Sequence, residues 1–168
     1  MLAALALAGA TAAARAEPAL ESAVKAAYLA RLPGFVDWPG RPARGGPPLV
    51  LCLLGDGPVA QDVRRGVGFG REPRPLSIRT LDSADAASGC DILFASGSPG
   101  QPAQAALEAV RGRPVLTITD ERGGQAQGMI HFRLLRGRVR FQVDVAEASR
   151  AGLSISSKLL RLAQTVRR

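Results

Sequence analysis

Leu49-Val50-Leu51-Cys52-Leu53-Leu54 is an unbroken apolar run of strand length, and it feeds directly into Gly55-Asp56-Gly57-Pro58-Val59-Ala60. A strand that is apolar at every position has no side left for water, so it must be covered on both faces, as in a parallel sheet flanked by helices. The glycines supply a turn and Pro58 suits the first position of a helix, so residues 55–66 read as a strand-to-helix transition. Working outward, residues 76–81, 90–95 and 115–119 repeat the strand signal, with a helix expected over 102–111. Toward the N-terminus, residues 17–32 place Leu20, Val24, Ala27, Tyr28 and Leu32 at helical spacing, and Pro33-Gly34 ends the run.

The C-terminal third alternates instead. Residues 129–135 and 138–145 read as two strands joined by Arg136-Gly137, a two-residue hairpin turn. One face takes Ile130, Phe132, Leu134, Val139, Phe141, Val143 and Val145 as core. The other takes Met129, His131, Arg133, Arg138, Arg140, Gln142 and Asp144 as a polar, mostly positive surface. Ser156 suits an N-cap for a final helix through Leu159, Leu160, Ala163 and Val166. The expected fold is α/β: a mixed, partly parallel sheet flanked by helices, with a C-terminal antiparallel hairpin and helix.

Composition narrows the chemistry. The chain has 168 residues, 46% hydrophobic and 21% charged, which are globular values for one domain. With one histidine, His131, and two cysteines, Cys52 and Cys90, it cannot assemble a closed zinc site of four His/Cys ligands. The net charge of +8 is carried almost wholly by arginine. That excess suits an anionic partner, or reflects an arginine-biased composition.

Residues 1–16 are nearly all Ala and Leu, and Ala14-Arg15-Ala16 has the small-x-small form of a signal-peptidase site. This reads as a signal peptide (1–16) removed from a single domain (17–168), an exported, periplasmic product that does not span the membrane. The alternative is an Ala-rich N-terminal helix of a cytosolic domain. In an oxidising compartment two lone cysteines pair; otherwise they remain buried thiols. A Cys52–Cys90 bridge would stabilise the fold by roughly 4 kcal/mol in the chain-entropy model.

Residues 55–60 match the form G-x-G-x-x-A of a dinucleotide site, but the acidic residue expected on the next strand is represented only by a late Asp82. An ordinary strand-to-helix turn explains the same residues. Gly66-Val67-Gly68-Phe69-Gly70 lacks the Lys and Ser/Thr of a phosphate loop, and Ser96-Gly97-Ser98 is not a nucleophile elbow. His131 reads as a surface residue rather than a general base. No cofactor is implied and no catalytic residue is assigned. Arg133, Arg138 and Arg140 share a face, yet no aromatics interleave with them to stack bases, so nucleic acid is not the expected partner.

Gly128-Met129-Ile130-x-Phe132, Arg138-Val139-Arg140-Phe141-Gln142-Val143-Asp144-Val145 and Ala151-Gly152-Leu153-Ser154-Ile155-Ser156-Ser157-Lys158-Leu159-Leu160-Arg161-Leu162-Ala163 resemble the signature of YfiR-like periplasmic proteins. The resemblance extends to Val24-Lys25-Ala26-Ala27-Tyr28-Leu29, to the corner Phe35-Val36-Asp37-Trp38-Pro39 and to Cys90-Asp91-Ile92-Leu93-Phe94. It implies a non-enzymatic regulator whose partner is the periplasmic part of an inner-membrane signalling protein, a diguanylate cyclase in the best-known case. It also implies a capacity to form homodimers, and it matches Cys52 and Cys90 to the family's cysteine pair. The chain departs from the family pattern at Gln127-Gly128, where Gly-Gly is common, and at Gln142, where glutamate is common. On this reading the partner-binding residues are Trp38, Arg41, Ile130, Arg133, Arg138, Arg140 and Gln142. The alternative function is a periplasmic small-molecule sensor module, with a pocket near Trp38, acting with a membrane histidine kinase or another receptor.

Overall fold

The computed structural model describes residues 8–42, 46–97 and 102–168, with side chains from residue 17 onward. Helix α1 (Ala8–Arg31) passes through a 3-10 turn into the short strand β1 (Val36–Asp37). Next come β2 (Leu49–Leu54), α2 (Pro58–Arg64), β3 (Leu76–Leu81), a 3-10 segment (Ala84–Gly89), β4 (Ile92–Ala95), α3 (Ala103–Ala109) and β5 (Leu116–Asp120). The expected alternation of strands and helices is therefore present. The hairpin follows as β6 (Ile130–Leu135) and β7 (Arg138–Asp144), with α4 (Val145–Arg150), β8 (Ser154–Ile155), α5 (Ser157–Leu160) and β9 (Thr165–Arg167) after it. The expected leader falls on residues 1–16, of which 1–7 lie outside the described residues.

Seven strands form one sheet in the order β3-β2-β4-β5-β6-β7-β9. Every neighbouring pair is parallel except the hairpin β6–β7. The unbroken apolar run of β2 is explained by its central place. Leu49, Leu51 and Leu53 face a core shared with α1 and α2, while Cys52 and Leu54 face a second core under the 3-10 segment and α3. The cysteines lie on the second side, their Cα atoms 5.8 Å apart, and are joined in a disulfide.

Two expectations in the C-terminal third need correction. The final helix ends after one turn at Leu160, and residues 165–167 form β9 instead, parallel to β7. The outer edge of β7 offers unpaired backbone groups, and the chain satisfies them, beginning with Gln164 N–H donating to Phe141 O at 2.9 Å. Residue 145 begins helix α4 rather than ending a strand, because the Asp144 carboxylate accepts the Glu147 N–H at 2.8 Å and caps the first turn.

Candidate functional site

The residues expected to bind a partner fall into two groups at opposite ends of the strands. Trp38 and Arg41 lie at the N-terminal end of β4. Trp38 is buried, its Nε1–H donates to Asp91 O at 3.3 Å, and the Arg74 guanidinium stacks 5.2 Å above its ring. Arg41 pairs with Asp91 at 2.7 Å, while the other Asp91 oxygen accepts the Val50 N–H at 2.8 Å. Asp91 thus ties the corner loop to the start of two central strands. Trp38 and Arg41 build this corner, and their engagement there removes Trp38 from any direct contact surface. Trp38 is packed by these neighbours and only 4% exposed.

Arg133, Arg138 and Arg140 lie on the hairpin, roughly 20 Å farther along the strand direction at about 3.3 Å per residue. All three are exposed, and Gln142 is half-buried. Ile130 points into the core at 0% exposure, so it cannot meet a partner. It shares the inner face with Phe132, as strand alternation requires. Arg133 and Arg140 stand directly opposite one another in the ladder. Like charges in that position repel and lower hairpin stability. Only Glu121, 3.5 Å from Arg133, offsets them; Arg138 and Arg140 make no ion pair among the described residues.

His131 does not belong to the exposed face. It is buried, with Nδ1 2.8 Å from Thr119 Oγ1. The segment before β6 crosses over β5, with Gly128 N–H donating to Thr119 Oγ1 and Met129 N–H to Thr117 Oγ1, and covers this part of the sheet. Gly128 is required at the crossing, since a Cβ there would stand 2.8 Å from Thr117 O. Met129 is buried with it. Burial pushes the His131 pKa below its ordinary value, which keeps the ring neutral at pH 7.

A charge cluster that sequence reasoning missed sits at the C-terminal end of β5. Lys25 is fully buried and donates to Glu21 at 2.5 Å and to Asp120 at 2.7 Å. Arg122 grips the same Glu21 through Nε at 2.9 Å and Nη2 at 2.5 Å. The Arg122 hydrogen bonds, with Lys25 adding to them against the cost of burial, hold the Glu21 carboxyl at about 2. The available signal was the Glu21/Lys25 spacing of four residues on one helix face. Beside the cluster is a cavity of about 180 Å³, lined by Gly57, Pro58, Ser96, Gly97, Asp120 and Arg122 among others. It lies where the connections from β2 and β4 leave toward opposite faces, the usual crevice of an open α/β sheet. The dinucleotide-like residues 55–60 form one wall. Among the described residues, the cavity has the size of a ring-sized molecule.

A family model described as YfiR/HmsC-like matches residues 22–164. The chain belongs to this family. Its members are periplasmic regulators, and the match begins within α1 and runs through α5, so it spans both the corner and the hairpin. No curated protein matches the chain. Among the described residues, no helix is long and apolar enough to cross a membrane.

Proposed function

We propose that this protein is a non-enzymatic periplasmic repressor that binds the periplasmic part of an inner-membrane signalling protein, a diguanylate cyclase, and lowers cyclic-di-GMP output. The observation that supports this reading is the Arg133–Arg140 cross-strand pair, a repulsive arrangement on an uncovered sheet face within a family of regulators. An acidic partner surface would relieve that repulsion, and complementary charge raises both association rate and specificity. Repression requires only that one conformation of the target be bound more tightly than another. Signal-peptide removal before Glu17 fits the same reading. It would leave Pro18 in the first turn of the shortened α1, where proline is tolerated, rather than in the interior of a longer helix.

The test is a pull-down of the cyclase's periplasmic part with Arg133→Glu, Arg138→Glu and Arg140→Glu combined. Loss of capture is expected; undiminished capture would remove this face as the contact. The cavity beside Arg122 supports a second reading, a small-molecule sensor acting through the same receptor. A ligand-dependent rise in melting temperature that is abolished by filling the cavity with Ser96→Leu would favour it.

A further inference from the structure

The end of the β6–β7 hairpin combines features that the partner-binding face does not use. Phe132 is the last β6 residue paired with β5, and on the other side β9 reaches only as far back as Gln142 of β7. The segment Arg133–Arg140 is thus a two-stranded finger that extends past the neighbouring strands by roughly 10 Å, at about 3.3 Å per residue, with Val139 still packed in the core and α1 alongside. Leu134 and Leu135 are exposed at 36% and 43% in this finger. Being consecutive, they leave opposite faces of the strand. Leu20 of α1 lies across a shared groove from Leu134 and is 66% exposed.

Arg133, Arg136, Arg138 and Arg140 surround these leucines; the acidic neighbours are Glu121, paired with Arg133, and Glu17 and Glu21 of α1, which line the same groove, Glu21 being taken up by Lys25 and Arg122. Arg136 has φ 51° and Gly137 φ 71°, so the turn needs left-handed backbone at both central positions. Asn or Gly adopts that geometry readily, whereas a long side chain does so at a cost in backbone energy. The tip therefore holds a cation where the turn alone would favour a smaller residue.

We infer that this finger docks on the surface of an anionic lipid bilayer, with Arg136 at the headgroup phosphates and Leu134 and Leu135 in the interfacial layer. Guanidinium groups bind phosphate through paired donors, and apolar side chains beside them gain from leaving water. Leu134, beside Leu20 across the groove to α1, and Leu135 on the opposite face suit a medium that can close around the tip better than a flat protein surface. The inference does not depend on which protein is repressed. Docking would hold the protein at the membrane in which its proposed partner is embedded, while Arg133, Arg138, Arg140 and Gln142 remain for that partner.

Sedimentation of the full chain with phosphatidylcholine vesicles, with and without phosphatidylglycerol, tests this. Binding should require phosphatidylglycerol, weaken with added salt, and fall about fivefold for Arg136→Ser. Leu134→Ser with Leu135→Ser should weaken it as well, and a Leu135→Trp reporter should shift its emission to the blue on anionic vesicles. These positions are exposed, so circular dichroism and melting of the variants should match the parent chain. No preference for phosphatidylglycerol, or tip variants that bind as the parent does, would overturn the proposal. Equal binding to soluble polyglutamate that is insensitive to the leucine changes would also overturn it, assigning the tip to an acidic protein instead.

Discussion

Replacing Lys25 by methionine removes a buried cation while nearly keeping its volume and unbranched shape, so electrostatics rather than a cavity would decide the outcome. Deleting one partner of a buried ion pair typically costs about 3–5 kcal/mol, because the remaining charge is left unpaired. Here the two carboxylates would be orphaned unequally. Glu21 keeps both Arg122 contacts, at 2.9 and 2.5 Å, whereas Asp120 keeps only the Arg122 N–H at 2.9 Å on its other oxygen. The cost should therefore come mainly from Asp120 and lie near the lower end, about 3 kcal/mol. Adding Asp120→Asn neutralises that orphan and should recover at least half of the loss, a non-additivity expected of residues in direct contact. Urea unfolding followed by circular dichroism reads both effects as changes in midpoint at constant slope. A Lys25→Met loss below about 1 kcal/mol, or an Asp120→Asn change that deepens the loss, would refute the assignment of this cluster as the lock between α1 and β5.

Two further outcomes follow from the same structure. Replacing both Cys52 and Cys90 by serine opens a covalent loop with a sequence separation of 38 and should lower stability by roughly 4 kcal/mol, read in the same urea assay; an unchanged midpoint would contradict the bridge's stabilising role. His131 should make stability pH-dependent. Its folded pKa lies below the ordinary histidine value of 6.5, so the unfolded chain takes up a proton that the native state refuses, and stability falls as pH drops below 6.5 until the folded group also titrates. His131→Gln should flatten the part of the urea midpoint's pH dependence that begins near 6.5, and an identical profile would assign that dependence elsewhere.

The central sheet was legible because β2 and β4, buried on both sides, announce it with continuous apolar runs, and β5 adds a β-branched run in which Thr117 and Thr119 alternate with apolar residues. The hairpin turn was legible because Arg136-Gly137 interrupts two alternating segments at one spacing only. The fate of residues 161–167 was not, since Ala163 and Val166 fit a helical stripe equally well. What decides for a strand is the open edge of β7, a tertiary fact. Helix α4 did carry a local signal, Asp144 followed three residues later by Glu147, which the alternation of β7 obscured. Trp38 and Arg41 show the limit for the site. An aromatic and a cation suit an interface hot spot and a buried anchor alike, and only Asp91 and Arg74 in space distinguish the two. His131 was misplaced because strand alternation says which face a residue is on, but not whether a later segment crosses over that face.

The small β1–β8 ladder has a consequence for the order of folding. It joins Val36 to Ile155 and Asp37 to Ser154, residues about 120 positions apart, so its loop-closure entropy is met only once the intervening sheet has brought the two segments together. It should be among the last native contacts to form. Trp38, the chain's only tryptophan, directly follows this ladder. The fold thus contains its own fluorophore at the site of its final closure, and refolding followed by tryptophan emission should lag behind refolding followed by backbone circular dichroism.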